Sequence, residues 1–274
     1  MAVDYRWNDS LMTYAQAATG FKGGGVNPRP YFPSQALPFQ PEEVMSYEIG
    51  IKSDFLDRRA RVNVAAFYSD FKNMHVILGE CDSVSFLAPG VPWTAVFPGT
   101  HAPCSQTTNG GDSKLWGVEV EAFFEPIDGL QIDATASLID FEYKSVNPVS
   151  GISLDDDLPF LVKNKFAIGL QYELAAFGGT LTPRVDFDYR SGFETEAVNS
   201  PDPLAGRVDS RSIVNARITY EPEGSDWEFA AAVTNLFDNF YYANKFDRSA
   251  PPFFASHGLI GRPLEWNLSV KRNF

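Results

Sequence analysis

The last stretch of the sequence, from Leu264 to Phe274, alternates apolar and polar residues and strongly constrains the fold. Side chains of a β-strand point alternately to its two faces, so this pattern predicts a strand with one apolar and one polar face. The apolar face carries Leu264, Trp266, Leu268, Val270 and Phe274. Arg272 interrupts that face near the end of the strand, where a long cationic side chain can reach an interface.

The same alternation recurs along the chain and predicts eleven strands and no helix. Short turns and long polar loops alternate between the strands, so one end of the predicted sheet carries turns and the other carries loops. This arrangement predicts one all-β domain over residues 1–274, built as an antiparallel up-and-down barrel wall. The predicted strands lie at about residues 3–7, 11–20, 47–55, 62–78, 116–122, 130–138, 166–174, 181–190, 214–220, 227–234 and 264–274.

Alternation alone does not distinguish a membrane barrel from a soluble barrel or sandwich. The strands are longer than the five or six residues usual in soluble sheets, and Tyr and Trp concentrate near their ends. Charged residues occupy the middle and end of one strand, as a water-filled lumen allows; these lumen-facing candidates are Arg184, Asp186, Asp188 and Arg190. We therefore predict a transmembrane β-barrel in the outer membrane of a Gram-negative bacterium, in contact with its lipid.

Composition excludes several other classes. The net charge of −13 argues against a nucleic-acid partner, because nucleic-acid-binding proteins usually present a basic face. The mean hydropathy is −0.18 and no apolar run reaches 18 residues, so no transmembrane helix is predicted. The residues Met1 to Tyr5 carry no secretory signal, which leaves either a cytoplasmic protein or a true amino-terminus upstream.

An odd number of strands bears on completeness. Bacterial single-chain barrels close with an even number of strands, whereas eleven strands place the first and last in the same direction. From this parity we expect the chain to be the tail of a longer barrel.

The two cysteines, Cys81 and Cys104, lie in one long stretch rich in polar residues, Pro and Gly. In an oxidising compartment we expect them to form a disulfide that closes a loop from about Gly79 to Gly111. The alternative is two free thiols. A zinc site is not expected, because His101 lies near but a fourth ligand is not apparent.

Several motifs together resemble TonB-dependent outer-membrane receptors, from about residue 11 to the end of the chain. The segment GFKGGGVNPRP at residues 20–30 resembles the GFKxGGFNPR segment of that family. The family's other segments resemble PE at 41–42 with SYEIGIKS at 46–53, AFYSDF at 66–71, VTNLFD at 233–238 with YY at 241–242, and GRP at 261–263.

This resemblance implies the carboxy-terminal half of a 22-stranded barrel whose lumen is filled by a plug that the chain lacks. It implies TonB-coupled uptake of a scarce nutrient, such as a metal chelate of the iron-siderophore class. It further implies TonB as a partner through the missing amino-terminal part, which would also hold the TonB box. The barrel-assembly machinery would read the terminal residues Trp266, Leu268, Val270 and Phe274.

The sequence shows no catalytic constellation and predicts neither an enzyme nor a bound cofactor or metal. His75, His101 and His257 are scattered, and Gly23 to Gly25 lack the Lys-Ser/Thr and the helix of a phosphate loop. Asp155 to Asp157 form either a divalent-cation site or a solvated acidic loop. Aromatic residues in the loops are candidate ligand contacts: Tyr31, Phe32, Trp93, Phe97, Phe253 and Phe254.

Three other functions remain open from the sequence. The chain could be a passive porin-like or adhesin barrel, a soluble β-sandwich that binds a ligand, or a truncated reading frame without activity of its own. Coding sequence for a plug upstream would favour the receptor.

Overall fold

A computed structural model describes residues 1–31, 33–81, 102–148, 150–200, 206–248 and 255–273. Eleven strands follow one another in a single antiparallel sheet in which each pairs with its neighbours in chain order. They are β1 (Ala2–Asn8), β2 (Leu11–Lys22), β3 (Glu42–Phe55), β4 (Ala60–Cys81), β5 (Ala102–Ile127), β6 (Leu130–Val146), β7 (Asn164–Tyr172), β8 (Gly179–Arg190), β9 (Arg211–Pro222), β10 (Trp227–Thr234) and β11 (Glu265–Arg272). The predicted up-and-down order of eleven strands is confirmed.

Smaller elements decorate this sheet. In the described ranges there is no α-helix, and one 3-10 turn spans Pro33–Gln35. No described helix has the length and hydropathy required to cross a bilayer. The additional strands are Leu174–Ala176, which pairs with β8, and the pairs Gly25–Val26 with Pro38–Phe39, Phe193–Glu194 with Arg207–Val208, and Tyr242–Arg248 with Ala255–Ile260.

The register aligns the apolar residues of neighbouring strands into one continuous face. Ala15, Ile49, Ala66, Val118 and Leu138 lie opposite one another across five strands. The face is solvent-accessible, with Ile49 63% and Leu138 47% exposed. An exposed apolar surface that crosses a whole sheet is typical of lipid contact. The face continues through Leu170, Val185, Ala216, Val233 and Trp266 on the last five strands.

The sheet does not close in the part of the chain that the structure describes. Its order runs from β1 at one edge to β11 at the other, and those two strands do not pair. The result is a partial barrel, which agrees with the prediction of an incomplete wall.

The hairpin of β4 and β5 extends further than the sequence predicted. The long loop was expected from about Gly79 to Gly111, yet the two strands pair as far as Cys81 and Ala102. Their register shifts between Phe71 and Met74. The extension lies mainly in β5, from Ala102 to Leu115, because β4 was already predicted to about residue 78. This part of β5 carries few apolar residues, so the alternation did not reveal it.

A small apolar core packs at the loop end of this hairpin. Its buried members come from β4, β5, β6 and the following loops: Met74, Val76, Leu78, Cys104, Phe141, Tyr143, Ile152 and Ala197. Burial raises the pKa of Tyr143 to about 12, and the residue lies in the part of β6 beyond the apolar face. The core fixes the 150–161 loop against the extended strands.

Candidate functional site

The polar face of the sheet carries the charged residues that the sequence placed in a lumen. In the middle of this face Arg184 binds two carboxylates. Its Nη1 lies 2.8 Å from Asp133 Oδ1, and its Nη2 lies 2.6 Å from Asp186 Oδ1. Asp133 and Asp186 both lie opposite Gly169 in the register. The network joins β6 and β8 across β7 through one guanidinium group.

Gly169 makes room for this network. A Cβ atom at this position would lie 2.2 Å from Arg184 Nη2 and 2.7 Å from Asp133 Oδ2, closer than van der Waals contact permits. A glycine on a strand commonly marks such a close approach of neighbouring groups. Arg184 and Asp186, predicted as lumen candidates, therefore satisfy each other and Asp133.

Other charges on the polar face also have partners. Glu228 on β10 accepts from Arg217 at 3.4 Å and from Lys271 at 3.5 Å, so it ties together β9, β10 and β11. Tyr14 donates to Glu48 at 2.7 Å, and its ring covers Gly50. These contacts link charged residues of the polar face to partners on neighbouring strands.

The loop end of the polar face is different. Arg190, the last residue of β8, lies opposite Arg211 of β9 on one side and Lys165 of β7 on the other. The Arg190 guanidinium lies 5.0 Å from the ring of Phe193, and that of Arg211 lies 4.5 Å from the ring of Tyr241. Sequence reasoning identified Arg190 but missed Arg211, because only the register brings the two together.

The remaining lumen candidate, Asp188, lies between these two regions. It pairs in the register with Ala167 and Ile213, and its charge acts on Arg190.

The part of the glycine-rich segment that follows β2, residues 23–30, is a folded loop that includes the short strand Gly25–Val26. Asn27 is buried, and its Nδ2 donates to the Gln35 carbonyl at 3.0 Å. A Cβ atom at Gly24 would lie 2.7 Å from the Phe39 carbonyl oxygen. The glycine thus allows two backbone segments to approach, which is a structural role.

Of the loop aromatics, only Tyr31 lies among the described residues, where it is 59% exposed and its N–H donates to Gln35 Oε1. Phe32, Trp93, Phe97, Phe253 and Phe254 lie outside the described ranges. On β11, Trp266, Leu268 and Val270 are 70%, 73% and 60% exposed on the apolar face. Phe274 is likewise outside the described residues.

Cys104 is buried at 2% exposure and is disulfide-bonded. Cys81 ends β4, and its backbone pairs in the register with Ala102. The side chain of Cys81 lies outside the described part of the chain, so the Cys81–Cys104 pairing remains a prediction, which the bonded state of Cys104 supports.

Among the described residues, two histidines and the acidic loop take part in hydrogen bonds or strand pairing within the fold. His75 Nε2 lies 2.7 Å from the Gln40 carbonyl oxygen, and His75 N–H donates to Glu42. His257 pairs with Phe246 within a hairpin, whereas His101 is outside the described ranges. Asp156 accepts from the Ser153 amide. Within the described residues, no three His, Cys, Asp or Glu side chains could together hold a metal ion.

Comparison with known proteins places this sheet in a family. The sequence model of the protein family described as TonB dependent receptor-like, β-barrel matches residues 2–236 of this chain. The ferric yersiniabactin uptake receptor FyuA from Yersinia pestis superposes with a TM-score of 0.75 at 18% identity, covering 100% of this chain and 36% of the receptor.

Two further structures show the same fold. The ferripyoverdine receptor of the outer membrane of Pseudomonas aeruginosa has a TM-score of 0.66 at 20% identity, with coverage of 100% and 32%. The copper transporter OprC has a TM-score of 0.70 at 14% identity, with coverage of 100% and 38%. The chain thus spans about a third of the length of these proteins. This chain belongs to the TonB-dependent receptor family, whose barrels are outer-membrane transporters of Gram-negative bacteria rather than enzymes.

Proposed function

We propose that this chain forms part of the barrel of an outer-membrane receptor that takes up a scarce small nutrient with energy from the TonB system. The observation that carries the proposal is that the eleven-stranded sheet has one exposed apolar face and one polar face with ion pairs. Such a division suits a wall between lipid and a hydrated interior. The family match supports a transport role for the wall.

The substrate class we propose is a metal chelate such as an iron-siderophore complex. Two of the structural neighbours are named for ferric yersiniabactin and ferripyoverdine, and a third for copper. Their sequence identities of 18%, 20% and 14% support the fold, and the substrate rests on this analogy.

The partners we propose follow from the incomplete wall. Strands β1 and β11 need further barrel strands at their open edges, and TonB would act through an amino-terminal part of the receptor. Barrel-assembly machinery would read β11 and the aromatic residue Phe274. Outer-membrane lipid would cover the apolar face.

Uptake measurements in cells test this proposal. A Gram-negative strain that lacks other iron receptors would carry the complete receptor that contains this chain, and a panel of radioactive iron chelates would be supplied. We expect uptake of at least one chelate that disappears when TonB is deleted. A copper chelate serves as a parallel substrate. Uptake that persists without TonB would contradict the proposal and favour a passive barrel.

A further inference from the structure

Two arginines of neighbouring strands lie side by side at the loop end of the polar face. Arg190 and Arg211 lie directly opposite each other on neighbouring strands, and Lys165 lies opposite Arg190 on its other side. Like charges placed opposite each other in a sheet destabilise it. An arrangement of three cations in one row therefore needs a compensating negative charge.

The two arginines also have donors without acceptors. Among the described residues, Arg190 Nε, Arg190 Nη2 and Arg211 Nε are buried atoms with no hydrogen-bond partner. A buried donor without an acceptor costs about 1–3 kcal/mol, so such groups are rare in native proteins. Arg184 and Arg217 also lie directly opposite each other on β8 and β9, but both have carboxylate partners. The difference is local to this row of cations.

Nearby groups hold the arginines in place without neutralising them. The rings of Phe193 and Tyr241 lie against the two guanidinium groups. Tyr241 itself is packed on Gly261, where a Cβ atom would lie 2.0 Å from the ring. Asp188 is the acidic residue whose charge acts on Arg190, and one carboxylate leaves two positive charges in the row.

The position of the pair gives access from the loop end. Arg190 ends β8 and Arg211 begins β9, and residues 191–210 connect them. Both side chains are half-buried, so each keeps some contact with solvent. A ligand that arrives at the loop end would meet these charges before it met the paired charges around Arg184.

We propose that Arg190 and Arg211 form a binding site for an oxyanion group, a carboxylate or a phosphate, on the small molecule that the receptor takes up. The guanidinium group presents several N–H donors in a fork that matches the oxygens of these groups. One bound oxyanion would supply the missing acceptors and offset the repulsion between the arginines. The identification of the oxyanion as part of the transported molecule rests on the proposed uptake function.

Equilibrium binding to the purified complete receptor tests the site separately from transport. The probes are inorganic phosphate and citrate, titrated calorimetrically into the receptor in detergent. We expect Arg190→Gln or Arg211→Gln to weaken binding of both probes about tenfold, the loss of one charged hydrogen bond. Arg217→Gln is the matched control on the same face of β9, and its binding should equal that of the unmodified receptor.

Each outcome decides the proposal. Each variant is first shown to keep the heat-dependent gel mobility of a folded barrel, and Arg190→Lys replaces any variant that fails. Binding that is lost in both arginine variants and kept in Arg217→Gln supports the site. Equal weakening in the control, or no binding to the unmodified receptor because another carboxylate of the receptor fills the pair, overturns it. Failure of TonB-dependent uptake in cells would contradict the uptake function and leave the binding result standing.

Discussion

Two arginines on one strand show that the role of a residue depends on its contacts. Arg184 and Arg190 lie on the same face of β8, and the first has carboxylates from β6 and β8 within 2.8 Å. Each also lies opposite an arginine of β9, but Nε and Nη2 of Arg190 have no hydrogen-bond partner among the described residues. The register alone decides which residues meet, because Asp133 is far from Arg184 in sequence. Arg184 therefore stabilises the wall, whereas Arg190 is available for a ligand.

The close fit around Gly169 gives a prediction at this scale. In the complete receptor, Gly169→Ala should lower the free energy of unfolding by about 1 kcal/mol, because the new methyl group separates Arg184 from Asp133. Denaturant titration in lipid vesicles measures the change. Gly23→Ala is the matched control, since a Cβ atom at Gly23 has no neighbour within 4 Å. A Gly169→Ala receptor as stable as the unmodified one would show that the network contributes nothing.

The cysteines give a second prediction for individual residues. We expect Cys81 and Cys104 to form a disulfide in exported protein, since Cys104 is bonded and the chain has two cysteines. Mass mapping of unreduced peptides should show the two segments linked. Alkylation of both thiols without prior reduction would contradict the pairing.

At the scale of strands, the alternation of apolar and polar residues predicted the eleven strands and their two faces. Each residue of a membrane-spanning strand faces either lipid or the polar side. All eleven strands therefore show the alternation in their sequences. The first part of β5, from Ala102 to Leu115, does not, because it carries few apolar residues and its buried Cys104 packs in the small core around Tyr143. The Arg190–Arg211 pair was likewise invisible, since it depends on how β8 and β9 align.

The two faces of β7 give a prediction for a whole strand. Ile168 lies on the apolar face opposite Phe187, and Ala167 lies on the polar face opposite Asp188. Ile168→Arg should destabilise the inserted barrel by about 2–4 kcal/mol if the site lies near the bilayer midplane. Ala167→Arg is the matched control, because its cation would enter the polar face beside a carboxylate.

Folding of the complete receptor into lipid vesicles, followed by gel mobility, measures both variants. We also expect Phe187→Arg to behave like Ile168→Arg and Gln171→Arg to behave like the control. Asp186 would be a poor control despite its polar position, since it binds Arg184. Equal tolerance on the two faces would show that the apolar face does not meet lipid.

For the whole molecule, the open sheet is the dominant feature. Strands β1 and β11 each pair on one side only within the described chain, so each presents a row of backbone donors and acceptors at an edge. Such edges attract other strands in water, and in a bilayer each unmet group costs several kcal/mol. Membrane barrels avoid this cost by closing, which requires strands beyond these eleven.

We therefore predict that the 274-residue chain expressed by itself does not form a closed monomeric barrel. Its edges should instead pair between copies, or the chain should remain unfolded, and it should not import a ligand. Size measurement in detergent and gel mobility with and without heating test this, with the Yersinia pestis receptor treated identically as the closed-barrel control. The control should show heat-dependent mobility and the chain should not. A heat-resistant monomer of this chain would mean that β1 and β11 can satisfy each other, and that eleven strands suffice for a barrel.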